Sequence, residues 1–318
     1  MFNDIVPVVF DEYILNKDIV NKLKSYNKYN LQNLILHGYG KKTIVDSFIL
    51  HLFNIKSLKK KLIIYNVKIN NNDVKINVLQ NNYYYEINLY EYALYDKHIV
   101  CGFIKELIST KNVHNIFYKI IILNYFDKIS KPAQLSLRKL IESNFNNVRF
   151  IITTKSLDAI EQSLKSRCDL IRIPFPKKNL NEYLDFCENK LKKKINKNKV
   201  ISKCNYSLFT LNTLIFNCDY IDPITIYVKQ IHDILSKSKN ILFIQDIRII
   251  IYKLHLLNID ANKIFNIYIE YLCKEKIFSN EILHKIVRQA SLNELQSTQM
   301  IKYFFCLERF FIFIKRHL

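Results

Sequence analysis

Glycine is almost absent from this chain, with three residues in 318. A chain that avoids glycine keeps it where the backbone takes a positive φ or must approach another group closely. Two of the three lie in the run Gly38-Tyr39-Gly40-Lys41-Lys42-Thr43. The apolar run 33–37 before it predicts a buried strand, and residues 41–53 after it have the apolar spacing of a helix. The sequence therefore predicts a strand, a glycine turn and a helix at this place.

This layout is typical of a phosphate-binding loop, in which backbone N–H groups surround phosphates, a lysine neutralises their charge and a hydroxyl contacts Mg²⁺. Lys41 and Thr43 would take the last two roles, with Lys42 between them. The standard motif places several more residues between its first glycine and its lysine than the step from Gly38 to Lys41 allows. A plain strand–helix turn therefore stays open as an alternative for this segment taken alone.

The composition predicts a folded, basic protein of two or three domains. Hydrophobic residues make up 49% and aromatic residues 13% of the chain, which is enough for packed cores. The net charge of +20 and the pI near 9.5 suggest a polyanionic partner such as nucleic acid. The excess of Lys, Asn, Ile and Tyr over Gly and Pro also fits the codon usage of an AT-rich genome. Both explanations of the charge stay open.

Cysteine and histidine patterns argue against disulfide and metal chemistry. The seven cysteines contain no C-x-x-C pair, which is typical of free thiols in a reducing compartment. The eight histidines form no metal-ligand spacing, so no metal site of the protein's own is expected. We also expect neither a signal peptide nor a membrane span, because no basic start with an apolar run and no apolar stretch of about 18 residues is present.

Residues 1–175 alternate strand-like and helix-like segments, which predicts a parallel α/β sheet with helices on both faces. Predicted strands are 33–37, 62–69, 73–79, 83–89, 118–124, 148–153 and 170–174, with 62–89 as an antiparallel excursion. Predicted helices lie near 41–53, 97–110, 132–143 and 157–166. After residue 176 the pattern is helical, with a break at Asp222-Pro223. The aromatic tail 303–313 either closes a helical bundle or forms an oligomer contact.

The buried strand 118–123 ends without the carboxylates that nucleotide hydrolysis needs. ATPases with a phosphate-binding loop hold Mg²⁺ and activate water with acidic residues at the end of such a strand. Here Asn124 and Tyr125 stand in those places. Asn124 could accept from a metal-bound water, but a phenol is not a general base near neutral pH. Asp127 is interpreted as a turn or helix-entry residue, and hydrolysis by this chain is not supported.

The run 121–176 resembles the small subunits of replication factor C. The motifs that carry the resemblance are Asp127-Lys128-Ile129-Ser130-Lys131-Pro132-Ala133-Gln134, Leu137-Arg138, Val148-Arg149-Phe150-Ile151-Ile152 and Ser166-Arg167-Cys168. The doubled lysine after Gly40 and the non-acidic end of strand 118–123 are similar to one member, the degenerate subunit at the open end of the clamp-loader pentamer. Beyond about residue 176 the resemblance rests on layout and scattered apolar positions.

The resemblance implies an AAA+ α/β module over 1–175, a small helical lid over 176–221 and a helical collar over 222–318 that joins five subunits. It implies a complex that opens a sliding clamp on primer–template DNA. Arg167 would reach in trans to the ATP of the adjacent subunit as an arginine finger. Gln134 and Arg138 match positions between the DNA-facing surface and the nucleotide site. The candidate contacts to DNA phosphates are Lys105, Lys128, Lys131 and Lys139.

Several nucleotide contacts of the family are missing from this chain. Only Pro7 remains of a Tyr-Arg-Pro motif, Lys155 stands where asparagine is expected, and Phe209 stands where a lid arginine is expected. We therefore predict weak or absent binding of ATP or ADP, with Mg²⁺ only if nucleotide is bound. The hypothesis is a non-hydrolysing, finger-donating subunit in the nucleus, or in host cytoplasm if the source is a large DNA virus. The alternatives are an ATP-hydrolysing AAA+ subunit and a decayed AAA+ adaptor without a DNA role.

Overall fold

The chain forms two compact units, residues 1–218 and 219–318. The computed structural model describes residues 7–69, 72–92, 95–110, 118–176, 179–192, 194–204, 208–217, 220–237, 243–257, 259, 261–299 and 304–318. Two hydrophobic clusters lie in the first unit, and a third fills the second unit. Each unit therefore buries apolar side chains of its own.

The described part of the first unit contains a seven-stranded, mostly parallel sheet. Its strands are β1 (Leu34–Gly38), β2 (Lys61–Ile69), β3 (Asn72–Gln80), β4 (Tyr84–Ile87), β5 (Lys119–Leu123), β6 (Val148–Thr154) and β7 (Asp169–Ile173). Their order across the sheet is β2-β3-β4-β5-β6-β1-β7. Neighbours from β4 to β7 run parallel, whereas β2 and β3 join antiparallel at one side. The predicted parallel sheet and its antiparallel excursion are confirmed.

The register brings three carboxyl ends of strands to one edge of the sheet. His37 on β1 pairs with Thr154 on β6, and Leu123 on β5 pairs with Ile152 on β6. Parallel strands present their carboxyl ends at the same edge, which is where ligands of open α/β sheets bind. The glycine turn, the end of β5 and the end of β6 therefore meet there.

Helices cover both faces of this sheet. One face carries α1 (Lys17–Lys24) and α2 (Lys41–Phe53), and the other carries α3 (Asp96–Ile99), a π-helical turn (Val100–Ile104), α4 (Lys105–Ser109), α5 (Lys131–Ser143) and α6 (Gln162–Lys165). The alternation of β1 shows why: Leu34 and Leu36 pack on the α2 side and Ile35 packs on the α5 side. Successive side chains of a strand point to opposite faces of the sheet. A strand with apolar side chains on both faces therefore needs helices packed against both faces.

The helix predicted near 157–166 is wrong over most of its length, because only Gln162–Lys165 is helical. The buried side chain of Gln134 donates to the carbonyl of Ala159 at 2.9 Å and accepts from the N–H of Glu161 at 2.9 Å. These backbone groups are bound to a side chain from α5 instead of to each other. The irregular segment is therefore held from outside.

The rest of the described chain is helical, as the sequence predicts. The first unit ends with α7 (Leu180–Leu191), α8 (Lys197–Lys203) and α9 (Leu208–Phe216), and the second contains α10 (Pro223–Lys237), α11 (Phe243–Leu256), α12 (Ala261–Glu275), α13 (Asn280–Gln299) and α14 (Phe304–Lys315). Tyr268 meets Phe311 with ring centroids 5.2 Å apart, so the aromatic tail packs inside its own unit. No helix among the described residues is long and apolar enough to cross a membrane. The lid and collar assignments stay predictions.

Candidate functional site

The two turn glycines are required by the backbone itself. Gly38 has φ +117°, and a Cβ built there would lie 2.0 Å from the carbonyl oxygen of Ile173 on β7. Gly40 has φ +67° and directly precedes α2. L-residues with side chains rarely adopt such angles. The turn thus has a structural reason for both glycines, whatever it binds.

A cavity of about 530 Å³ lies over this turn. Gly38, Gly40, Lys41 and Thr43 line it, so these predicted phosphate-loop residues meet at one wall. Lys42 and Asn124 are not among the residues that line it. The volume falls in the range of small-molecule sites in proteins.

Further lining residues of the cavity come from the helices after the sheet. Tyr183, Phe186 and Lys190 recur at i, i+3 and i+7 on α7 and line the cavity. The hydroxyl of Tyr183 donates to Asn212 Oδ1 at 2.9 Å, and burial raises the pKa of Tyr183, so the phenol stays neutral. Flat aromatic walls suit a planar ring. Sequence reasoning missed these residues, although their spacing on one helical face was visible.

The charges in the cavity are mostly positive. Lys41 donates from Nζ to the carbonyl oxygen of Gly38 at 2.6 Å. Burial lowers the pKa of Lys41, the like charge of Lys155 lowers it further and the carboxylate of Asp127 opposes both. Lys155 and Lys190 also line the cavity, together with one acid, Glu12, whose carboxylate accepts from the N–H of Val8 at 2.9 Å. This donor set, with its aromatic wall, fits a nucleoside polyphosphate.

Asn124 belongs to a buried polar network between strands. Its Nδ2 donates to Glu86 Oε1 at 2.7 Å, and its Oδ1 accepts from Thr153 Oγ1 at 2.9 Å. The other oxygen of Glu86 accepts from Lys60 Nζ at 3.2 Å, and Lys60 also binds Asp46 at 2.7 Å. Asn124 therefore ties β4, β5 and β6 together instead of facing the cavity.

The residues after Asn124 also lack a catalytic arrangement. Tyr125 has φ +53°, is about half exposed and meets Tyr90 edge-on at 5.0 Å. Asp127 Oδ1 accepts from the N–H of Lys155 at 2.9 Å and from Thr154 Oγ1 at 3.2 Å. This carboxylate thus holds the end of β6, in keeping with the predicted turn role. Within the described ranges, no three acidic, His or Cys side chains form a metal cluster.

Arg167 lies just after α6 and is held by neighbours on the surface. Its Nη1 donates to the carbonyl of Ser163 at 2.7 Å, and its Nε lies 2.6 Å from Glu142 Oε1 on α5. Glu142 also lies 3.7 Å from Nε of Arg138. Sequence reasoning missed Glu142, because its partner is distant in the chain. Burial raises the pKa of the Cys168 thiol to about 12, which makes this side chain a neutral packing group.

The remaining predicted residues are divided between the core and the surface. Gln134 is buried and bound to the backbone of the 159–161 segment. Lys105 and Lys131 are exposed, and Lys131 lies 3.8 Å from Glu161. Exposed Lys128 lies over the ring of Tyr90 at 5.3 Å. Lys139 is exposed on α5, and Phe209 is in α9 with a side chain outside the described residues.

Sequence relatives connect nearly the whole chain with one family. A protein named replication factor C small subunit L478, from Acanthamoeba polyphaga mimivirus, is 29% identical over 317 residues, which are 90% of this chain and 82% of that protein. Over this span the chain is similar to a replication factor C small subunit. Replication factor C subunit 3 of Arabidopsis thaliana is 28% identical over 198 residues, 58% of this chain and 55% of the relative. Replication factor C subunit 5 of Saccharomyces cerevisiae is 29% identical over 177 residues, which are 51% of this chain and 49% of the relative.

The resemblance to replication factor C small subunits that the motifs predicted is thus confirmed by these sequence relatives. No family model matches the chain. Among solved structures, Thermotoga maritima RuvB, a Holliday junction branch migration motor, aligns at 15% identity and TM-score 0.44, covering 85% of this chain and 80% of that one. A DNA polymerase III gamma subunit-related protein of Thermotoga maritima aligns at 11% identity and TM-score 0.48, covering 93% and 98%. Likenesses this distant carry no functional argument.

Proposed function

We propose that this protein is a small subunit of a clamp loader in DNA replication, and that it supplies Arg167 to ATP bound by a neighbouring subunit. The observation that carries the proposal is the place of Arg167. This planar cation is partly exposed, is held by Glu142 and Ser163, and does not line the cavity of its own chain. An arginine held in this way suits phosphate charge on another molecule.

Neither described residue at the end of β5 supplies a general base for hydrolysis in the protein's own cavity, and the lining acid Glu12 is bound by the N–H of Val8. Asn124 is bound to Glu86 and Thr153, and Tyr125 is exposed next to Tyr90. A general base must lie within hydrogen-bond reach of the attacking water and have a suitable pKa. The proposed subunit therefore supports turnover at a neighbouring site and does not itself turn over ATP.

Contact with DNA phosphates is proposed for exposed lysines near α4 and α5, namely Lys105, Lys128 and Lys131. Lysines attract duplex phosphates without reading sequence. Helix α5 begins at Lys131, carries Gln134, which holds the segment before α6, and carries Arg138, which shares Glu142 with Arg167. This helix is the proposed link between DNA and the finger.

The deciding experiment is the Arg167→Ala substitution in the reconstituted multi-subunit complex. Loss of a trans arginine should slow ATP turnover at the affected interface by at least about a hundredfold. Arg172→Ala removes an exposed arginine on β7 and serves as the matched control.

Two results would reject the proposal. Unchanged ATPase and clamp loading with Arg167→Ala would support the adaptor alternative. ATPase activity of the isolated chain that disappears with Lys41→Ala would support the alternative of an ATP-hydrolysing subunit.

A further inference from the structure

The cavity wall has more ammonium groups than a phosphate loop supplies. Lys41 comes from the turn, Lys155 from the end of β6 and Lys190 from α7, while Glu12 is the one acid among the lining residues of the described chain. A cavity that gathers three cations from distant parts of a sequence suits a polyanionic ligand.

Lys155 is placed at the wall by its backbone. It follows Thr154, which pairs with His37, so it stands beside the start of the glycine turn. The Asp127 carboxylate fixes its N–H at 2.9 Å. In the part of the chain that the structure describes, no carboxylate pairs with its ammonium group. The side chain is exposed and lines the cavity, which leaves its charge for a ligand.

Of the Mg²⁺ ligands that the motif predicts, the Thr43 hydroxyl lines the cavity, but the acidic ligand at the end of β5 is missing. Mg²⁺ on a nucleotide is usually held by one or two protein carboxylates as well as the phosphates. Glu86 forms an ion pair with Lys60 and accepts from Asn124, and Asp127 accepts from the end of β6. Neither carboxylate lines the cavity, whereas that of Glu12 does and accepts from a backbone N–H at 2.9 Å. These three acids are thus engaged by other groups, so the set does not fit Mg²⁺.

We propose that the cavity binds a nucleoside polyphosphate without Mg²⁺, with the ammonium of Lys155 contacting the terminal phosphates in place of the metal. Lys41 contacts the same phosphate chain, and the Tyr183 and Phe186 wall faces the base. The proposal concerns the protein's own cavity and does not depend on the role of Arg167. It makes the nucleotide a bound ligand that is not consumed.

The test is calorimetric titration of the full-length chain with ATP, ADP and adenosine, in EDTA and in excess Mg²⁺. ATP should bind in EDTA at least as tightly as in Mg²⁺, because the metal and Lys155 compete for the same phosphate oxygens. Adenosine should bind far more weakly than ATP. Lys155→Ala should weaken ATP binding in EDTA by about tenfold or more, the value of one charge-assisted hydrogen bond. Lys155→Asn, which also removes the charge, should do the same.

Lys28→Ala is the matched control, because Lys28 is exposed and does not line the cavity. It should leave ATP affinity unchanged, and thermal melts of all variants should coincide because both lysines are exposed. ATP binding that requires Mg²⁺ would overturn the proposal. So would EDTA affinity that is unchanged in both Lys155 variants, or the absence of ATP binding in either buffer. None of these results bears on Arg167→Ala in the complex, so the two proposals can fail separately.

Discussion

At the scale of single residues, glycine at the turn is required by a neighbouring strand. Gly38→Ala would place a Cβ 2.0 Å from the Ile173 carbonyl oxygen at φ +117°. We expect a loss of about 3 kcal/mol or more in the free energy of unfolding, measured by urea denaturation. Gly102 has no atom within 4 Å of a built Cβ, so Gly102→Ala should be neutral or stabilising by up to about 1 kcal/mol. Equal midpoints for the two variants would contradict this explanation.

A second prediction for a single residue concerns the carboxylate of Glu142. It rests on the proposed role of Arg167 as an arginine finger. Glu142→Gln keeps the size of the side chain but removes the charge that holds Nε of Arg167 at 2.6 Å. We expect kcat of the assembled complex at that interface to fall about tenfold, with KM for ATP and the free energy of unfolding nearly unchanged.

The matched control for this prediction is Glu182→Gln on α7, which is exposed and should not alter kcat. If Arg167→Ala slows the complex and Glu142→Gln does not, the ion pair has no positioning role.

At the scale of elements, one side chain connects α5 to the segment that leads into α6. Gln134→Ala removes the partners of the Ala159 carbonyl and the Glu161 N–H in a buried site. We expect a loss of about 3 kcal/mol in unfolding free energy, since buried unpaired backbone groups are costly. Leu135→Ala on the same helix is the control, because Leu135 is 42% exposed. Comparable urea midpoints for the two variants would show that the 159–161 segment does not depend on Gln134 for its stability.

Local pattern predicts most elements of this fold. The helix predicted over 41–53 is observed as Lys41–Phe53, because the apolar spacing lies within it and Gly40 directly precedes it. The helix predicted over 157–166 fails because Gln134, far along the chain, binds its backbone. The cavity residues of the glycine turn were also predictable, because the local sequence pattern indicates a strand, a turn and a helix there. The α7 residues of the cavity were not predictable, because Lys190 and Lys41 line one cavity only through tertiary folding.

At the scale of the whole molecule, residues 219–318 form a compact unit around their own core. We expect this fragment, expressed alone, to give a helical circular dichroism spectrum and a cooperative thermal melt. Phe311 is 1% exposed, so Phe311→Ala should cost about 3–5 kcal/mol and abolish the cooperative melt. Phe305 on the same helix is 60% exposed, and Phe305→Ala should leave the melt intact. A fragment without a cooperative transition would show that its core depends on residues before 219.

The hydrogen bond from Asn124 to Glu86 limits which amino-acid substitutions could restore an acidic residue at the end of β5. Replacing Asn124 by aspartate would remove the donor and bring two carboxylates together in a buried network, where like charges raise each other's pKa. A single codon change therefore places the new acid beside Glu86, where the two carboxylates cannot readily both be ionised. Glu86 would have to change as well, and Lys60 would then lose a partner. Under the proposed function, at least two coordinated substitutions separate this sequence from one with an acid at the end of β5, and the proposed non-hydrolysing subunit is thereby protected against chance reversion.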